Sequence, residues 1–286
     1  MNTSETSKIV TPTFILGGAP KAGTTSVYHY LGQHPQVCMS ARKETSVFID
    51  DKGLEWLSEN YYRHYDGEPA VGEASAGTLG APEVTERVYE ALPEVQLIFV
   101  LRDPVDRLYS HFTFLQGEQA IDPDRSFSGF IRSKTEWRNT LIDLGRYHRH
   151  LTRFGEYFDR DQILVLLFED LKTDAGEFMA EVYRFIGVDP SFRPDFDVQN
   201  QTREPRFPGA HRALTRAWTS VRKYVDVYAA NYTRPLRRAV KRLVTKEADR
   251  LPMTEGDKRY LQDIYREPSR KVEAWLDRDL SHWKAV

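Results

Sequence analysis

Cysteine is the residue type that this chain most nearly lacks. Its 286 residues include one cysteine, Cys38, which excludes an intramolecular disulfide and a cysteine-rich metal site. The sequence has no run of 18 apolar residues, and its polar start, MNTSETSKIVTPT, has no apolar signal region. Excess charge is lacking as well, and a net charge of −2 argues against bulk nucleic-acid binding. We therefore expect a soluble, cytoplasmic protein.

Short apolar runs alternate with stretches of helical spacing along most of the chain. The patterns predict strands at 13–18, 69–75, 95–101 and 162–168, and helices at 24–35, 82–92, 107–117, 141–158, 176–187 and about 254–275. Because strands joined through helices are usually parallel, this alternation predicts an α/β fold with a mainly parallel central sheet flanked by helices. We expect a flexible leader at 1–12, a long loop at 189–210, and one domain at 13–286 that ends in a helical part, about 211–286.

The most informative motif is FILGGAPKAGTT, at residues 14–25. A strand-like run leads into a loop that contains Gly18, Lys21 and Gly23, and a predicted helix follows. Such a turn directs backbone N–H groups and a helix N-terminus at one point, which favours a bound phosphate. The loop keeps the G-x-x-x-x-G spacing of nucleotide kinases, but Thr24 stands where their lysine follows the second glycine. A glycine-rich turn that binds no ligand is the alternative.

The second motif is VQLIFVLRDPVDRLYSHF, at residues 95–112. Its predicted strand ends at Arg102, and Ser110 lies in the helix that follows. Ligands of parallel α/β sheets bind beyond the carboxyl ends of the strands, so Arg102 should meet a ligand held by the loop at 19–25. A guanidinium group near a hydroxyl suits a second phosphate. Alternatively, Arg102 pairs locally with Asp103, and Ser110 is an ordinary helix-surface serine.

Together, PKAGTT and LRDPVDRLYSHF resemble the motifs of the sulfotransferases that use 3′-phosphoadenosine 5′-phosphosulfate (PAPS). The resemblance extends over about residues 13–190 and is closest to the carbohydrate branch, which includes the heparan sulfate sulfotransferases. It implies a P-loop-like three-layer fold, PAPS as the cosubstrate, PAP as the product, and no required metal. By this resemblance, the 5′-phosphate would be held by Lys21, Ala22, Gly23, Thr24 and Thr25, and the 3′-phosphate by Arg102 and Ser110.

The resemblance also implies in-line transfer of a sulfuryl group to an acceptor hydroxyl, with the catalytic roles on Glu44 and Lys21. Lys21 would stabilise the leaving phosphate. Glu44, in RKETSVF, matches the glutamate that acts as the base in the heparan-type enzymes. Glu73, in GEASAGT, is the rival base, although Ala74 replaces the lysine that usually follows it. We expect His111 to be packed or exposed rather than catalytic.

We interpret the chain as a bacterial sulfotransferase that acts on a hydroxyl, with an amine as the less favoured acceptor group, of a carbohydrate or glycoconjugate. Two other functions remain open. A P-loop kinase would need magnesium held by a carboxylate at a strand end, where Asp103 is adjacent to the expected position. A nucleotide-binding module would bind without catalysis. The sequence shows no His, Asp and Glu set with metal-ligand spacing.

Two further segments bear on the acceptor. Trp137, Arg146 and Tyr147 are candidates for lining an open acceptor cleft, because sugars stack on aromatic rings. Between 212 and 246, ten Lys and Arg residues stand against one acid, Asp226. This basic segment is either a solvated helical face or a peripheral contact for an anionic glycan or a membrane surface that carries a glycolipid acceptor.

Overall fold

A five-stranded parallel sheet organises the fold. The computed structural model describes residues 9–118, 120–122, 124–196, 203–205, 245–247 and 253–286. The strands are β1 (Phe14–Gly18), β2 (Val37–Met39), β3 (Ala70–Ala74), β4 (Gln96–Leu101) and β5 (Ile163–Leu167). They lie in the order β2-β3-β1-β4-β5, and each neighbouring pair is parallel. The predicted α/β fold with a parallel central sheet is therefore confirmed.

Helices connect the strands and cover the sheet. Those in the described part of the chain are α1 (Thr24–Leu31), α2 (Gly53–Tyr61), α3 (Pro82–Ala91), α4 (Pro104–Gly117), α5 (Phe127–Ile131), α6 (Glu136–Asp143), α7 (Tyr147–Gly155), α8 (Phe168–Thr173), α9 (Ala175–Phe185) and α10 (Glu255–Leu276). None of these helices combines the length and the apolar composition that a membrane crossing requires.

The central strands are apolar on both faces because helices cover both sides of the sheet. Phe14, Ile15 and Leu16 of β1 are completely buried, and so are the residues at 97–101 in β4. A second apolar cluster joins α4, α5, α6 and α10 through buried side chains such as Phe112, Phe130 and Tyr265. Because β3, β1 and β4 are parallel neighbours, their carboxyl ends lie side by side at one edge of the sheet.

The structure corrects several predicted boundaries. The single helix predicted at 141–158 is two helices, α6 and α7, which are separated at Gly145. A Cβ on Gly145 would lie 2.8 Å from the Tyr265 ring, so the break lets α10 pack closely against this turn. The short strand β2 and the helices α2 and α8 had no predicted counterparts.

Two three-residue strands lie in segments for which the sequence predicts a loop or helices. Arg203–Pro205 (β6) and Thr245–Glu247 (β7) pair antiparallel, so the predicted loop at 189–210 and the predicted helical part at 211–286 are wrong at these residues. The rest of the basic segment at 212–246 lies outside the described residues.

The start of the chain is partly anchored. The predicted flexible leader covers residues 1–12, but the N–H of Val10 donates to Ser58 Oγ at 2.9 Å, and Pro12 is buried. Contacts divide the chain into two compact units, residues 1–199 with 253–286, and residues 200–252. The assignment of 13–286 to one domain stays a prediction.

Asp103 links the start of α4 to the last residues of the chain. One carboxylate oxygen accepts the N–H groups of Val105 and Asp106, at 2.8 and 2.9 Å. The other accepts the N–H of Lys284, whose ammonium group pairs with Asp106. Burial is the main cause that raises the pKa of Asp103. The aspartate therefore caps the helix and binds the C-terminal segment at the same time.

We expect Asp103→Ala to lower the free energy of unfolding by about 1–2 kcal/mol through loss of the helix cap, with a further loss from the buried N–H of Lys284. Urea denaturation followed by circular dichroism measures this change. Ser126→Ala is the matched control, because Ser126 caps the short helix α5 at an exposed site, and its effect should be smaller. Equal stability of Asp103→Ala and the wild-type protein would contradict the dual role of Asp103.

Candidate active site

The loop between β1 and α1 is shaped to present backbone N–H groups. Lys21 and Gly23 have left-handed φ angles of 71° and 87°. Gly23 precedes the first residue of α1, so no side chain there occupies the N–H groups of the first helical turn. A Cβ on Gly23 would lie 2.7 Å from the Phe168 ring. Both the backbone angle and this close approach require glycine, and the resulting turn is suited to an anion.

The other residues predicted for the 5′-phosphate differ in their accessibility. Ala22 is completely buried and Thr24 nearly so, whereas Thr25 and Lys21 are half-buried. Ala22 and Thr24 would therefore act mainly through their backbone groups. Thr25 lies in the first turn of α1, where its hydroxyl group is close to the helix N-terminus.

Arg102 joins the two predicted motifs directly. Its Nη1 donates to the carbonyl oxygen of Lys21 at 3.2 Å, and its guanidinium carbon lies 4.9 Å from the centre of the Phe168 ring. The hydroxyl of Tyr147 donates to the Arg102 carbonyl at 2.8 Å. Tyr147 is buried, so the prediction that it lines an open cleft is wrong. Its hydroxyl instead fixes the backbone at the end of β4.

Helix α4 places further groups beside Lys21. Ser110 is buried on this helix, and the Lys21 ammonium lies 4.0 Å from the centre of the Phe114 ring, one turn away. His111 Nδ1 lies 3.2 Å from Arg107 Nη1. Burial, reinforced by the charges of Arg107 and Lys21, lowers the pKa of His111 to about 3. His111 is therefore a neutral side chain near neutral pH, packed beside the lysine.

Glu44 lies on the other side of β1, next to the end of β3. Its N–H donates to the carbonyl of Ala74 at 2.7 Å, and its Oε2 accepts the N–H of Ala76 at 3.0 Å. Its Oε1 pairs with the Lys43 ammonium, and the side chain is 48% exposed. The carboxylate is thus held by the N–H of Ala76 and by the Lys43 ammonium, while about half of the side chain remains exposed.

Glu73, the rival base, is completely buried. Its Oε1 accepts the hydroxyls of Thr45 and Ser75, at 2.5 and 2.6 Å. Burial is the main cause that raises its pKa to about 7, and these two hydrogen bonds act in the opposite direction. The Glu44 side chain is therefore accessible to solvent, whereas that of Glu73 is not.

Sequence reasoning missed two aromatic side chains at this edge, Phe168 and Phe114. Phe168 is the first residue after β5, so the rule that ligands lie beyond the carboxyl ends of parallel strands could have indicated it. Phe114 is four residues after Ser110, which places both on one face of α4. Within the described ranges, no group of three or more His, Cys, Asp or Glu side chains is arranged to hold a metal.

Comparisons with known proteins agree with this architecture. The family model described as the sulfotransferase domain matches residues 11–207. The membrane-associated sulfotransferase kil1 of Dictyostelium discoideum is 32% identical over 139 residues, which cover 46% of this chain and 30% of that protein. The bifunctional heparan sulfate N-deacetylase/N-sulfotransferase 4 of Mus musculus is 28% identical over 206 residues, which cover 63% of this chain and 23% of that protein. The chain thus spans less than a third of the length of these relatives.

Solved structures share the fold. A sulfotransferase from Alicyclobacillus acidocaldarius superposes with a TM-score of 0.69 at 24% identity, over 96% of this chain and 100% of that one. Mouse sulfotransferase SULT7A1, crystallised with PAP, superposes with a TM-score of 0.52 at 13% identity, over 92% of this chain and 85% of that one. At these identities the likeness shows the fold alone. Because the family model matches more than half of the chain, the predicted family and enzyme class are confirmed, and the chain belongs to the PAPS-dependent sulfotransferases.

Proposed function

We propose that this chain transfers a sulfuryl group from PAPS to a hydroxyl of a carbohydrate or glycoconjugate. The hydrogen bond from Arg102 to the Lys21 carbonyl is the observation that carries the proposal. It brings a strand-end guanidinium and a glycine-rich anion loop together at one edge of the sheet. A nucleotide with phosphates on both sides of its ribose needs two such neighbouring anion sites.

The residues present fit PAPS. Gly23 has a left-handed backbone and lies too close to the Phe168 ring for a Cβ, and the N–H groups at the start of α1 suit the 5′-phosphate, together with Lys21 and Thr25. Arg102 and Ser110 supply a charged fork and a hydroxyl for the 3′-phosphate. When bound, PAPS supplies a sulfuryl group that is activated by its bond to phosphate.

Glu44 and Lys21 have complementary roles in the proposed transfer. A bond forms from the acceptor oxygen to sulfur as the bond from sulfur to the phosphate oxygen breaks, and PAP leaves. The Glu44 carboxylate accepts the hydroxyl proton of the acceptor. The Lys21 ammonium neutralises the charge that develops on the departing phosphate. The exposed face of Glu44 is the side from which an acceptor can approach.

The position of Asp103 argues against the kinase alternative. A P-loop kinase uses a strand-end carboxylate to help hold magnesium. Both oxygens of Asp103 are instead engaged, one by the first turn of α4 and the other by the N–H of Lys284. The carboxylate nearest to the position that a kinase mechanism needs is therefore engaged as a structural cap.

Similarity to named relatives and two features of the chain bear on the acceptor. A carbohydrate is supported by similarity to proteins named heparan sulfate N-deacetylase/N-sulfotransferases, and the N-sulfotransferase in that name keeps an amine as the alternative to a hydroxyl. Trp137 is 55% exposed and offers a ring for a sugar. The ten basic residues at 212–246 would attract an anionic glycan or a lipid surface. A bacterial, cytoplasmic setting stays a prediction.

Lys21→Ala and Arg102→Ala should each weaken PAP binding roughly 10- to 100-fold, because each removes a charged phosphate ligand. Isothermal titration calorimetry measures this change. Arg184→Ala is the control, because Arg184 forms an exposed ion pair with Glu177. The next residue, Phe185, accepts a hydrogen bond on its carbonyl from Gln96, at the end of β4 that is opposite to Arg102. Unchanged PAP affinity in both site variants would rule out the proposed nucleotide site.

Glu44→Gln should lower kcat roughly 10²- to 10⁴-fold through loss of the base, while PAP affinity stays close to that of the wild-type protein. Transfer of radiolabelled sulfate from PAPS to desulfated heparan sulfate chains measures kcat. Glu177→Gln, in the remote ion pair, is the matched control and should leave kcat unchanged. Full activity of Glu44→Gln would refute its role, and PAP binding without any transfer by the wild-type chain would favour the binding module.

Sulfate transfer should proceed at the same rate with EDTA and with added magnesium, because Lys21 is proposed to supply the positive charge that a metal supplies in kinases. Calorimetry with PAP, ATP and GTP, compared with the radiolabel assay in both buffers, checks the nucleotide class. Tight, magnesium-dependent binding of ATP without binding of PAP would favour the kinase instead.

A further inference from the structure

Glu73 is an unusual residue for its position. It lies in β3, between β2 and β1, with Ile15 of β1 opposite it in the sheet register. The carboxyl group is completely buried, and burial of a carboxylate is costly unless its oxygens are paired. Oε1 has two donors, whereas Oε2 has no hydrogen-bond partner among the described residues. Packing of the sheet does not require such a group.

The two donors to Glu73 continue into the loop that carries Glu44. The Ser75 hydroxyl donates to Glu73 and accepts the N–H of Ser46 at 2.9 Å. The Thr45 hydroxyl also donates to Glu73 and accepts the N–H of Val47 at 3.3 Å. Three consecutive residues after Glu44 are therefore connected to one carboxyl oxygen.

This loop has a backbone that needs external support. Glu44 and Ser46 have left-handed φ angles of 62° and 56°, which side chains other than glycine adopt at a cost. Hydrogen bonds from the Glu44 N–H to the Ala74 carbonyl, and from the Ala76 N–H to Glu44 Oε2, tie the loop to the end of β3. The Glu73 carboxyl supports the same loop through the hydroxyls of Thr45 and Ser75.

We propose that Glu73 is a positioning residue: through Thr45 and Ser75 it holds the loop of Glu44 in the conformation in which the Glu44 carboxylate meets the acceptor. This inference rests on the proposed function, since Glu44 is the base in that proposal. Glu73 itself touches no substrate, because it is completely buried. Its role differs from that of a rival base.

The strength of this support depends on pH. An ionised carboxylate accepts shorter and stronger hydrogen bonds than a neutral acid, so the loop is held best when Glu73 is ionised. Its pKa is about 7, with burial as the main cause, and the charge of Glu44 raises it while that of Lys43 lowers it. Tyr62, whose hydroxyl donates to the Gly72 carbonyl, is a further titratable group near Glu73, and the charge of Glu73 is one of the causes that raise the pKa of Tyr62. The ionised fraction therefore increases from pH 6 to pH 8.

The decisive comparison is Glu73→Gln against the wild-type protein at pH 6 and pH 8. Glutamine has the same shape and keeps an oxygen acceptor, but it cannot ionise. We expect kcat for desulfated heparan sulfate chains to fall roughly 10- to 100-fold at pH 8 through misplacement of Glu44, and much less at pH 6. PAP affinity should be unchanged at both pH values. A structural defect alone would lower kcat equally at the two pH values.

Thr45→Val and Ser75→Ala keep the test informative if Glu73→Gln folds poorly. Each removes one hydroxyl between Glu73 and the loop. Both should lower kcat at unchanged PAP affinity and speed hydrogen exchange at the amides of Ser46 and Val47. Glu177→Gln, in the remote ion pair, should change neither quantity.

The possible failures are distinguishable. If the wild-type chain transfers sulfate, but Glu73→Gln has the same kcat, or a ratio that is equal at pH 6 and pH 8, the positioning role is wrong and the proposed function stands. Loss of PAP affinity in parallel with kcat would also overturn the role. If the wild-type chain transfers no sulfate, the proposed function fails, and the inference fails with it.

Discussion

The hydrogen bond between the Arg102 guanidinium and the Lys21 carbonyl is the contact on which the arrangement of the site depends. Lys21 has a left-handed backbone conformation, and a donor on its carbonyl stabilises that turn. Two contacts position Arg102: its guanidinium group lies over the Phe168 ring, and its carbonyl accepts a hydrogen bond from the Tyr147 hydroxyl. A single cation therefore fixes the loop after β1, and in the proposed function the same cation would bind the 3′-phosphate.

The central strand β1 lies between the candidate base and the strand-end guanidinium. On the β4 side lie the guanidinium of Arg102 and the groups of α4. On the β3 side lie Glu44 and Glu73. Lys21 lies in the loop after β1, with its ammonium group beside the Phe114 ring of α4. The proposed transfer would need a base and a cation on opposite sides of the transferred group, and the strand order β3-β1-β4 is compatible with that layout.

Features that depend on neighbouring residues could be predicted from the sequence, whereas features that depend on distant residues could not. Strands β1 and β4 are uninterrupted apolar runs, because both of their faces are buried. The predicted carboxyl ends of these strands indicated that Lys21 and Arg102 lie at the same edge of the sheet. β2 is an edge strand of three residues, too short for a periodic pattern. The break at Gly145 depends on Tyr265, which is distant in sequence. The network around Glu73 was equally hidden, because Thr45 and Ser75 are ordinary loop residues until β3 and the Glu44 loop meet.

Asp103 shows why a strand-end carboxylate cannot be assigned a role from its position alone. In the sequence it is adjacent to the place where a P-loop kinase carries its metal-binding acid, so it could be either a metal ligand or a helix cap. The structure uses one of its oxygens for the first turn of α4, which any helix N-terminus with an aspartate could do. The second oxygen binds the N–H of Lys284, 181 residues further along the chain. Because local pattern cannot reveal a partner at that separation, only the folded chain distinguishes a cap from a metal ligand.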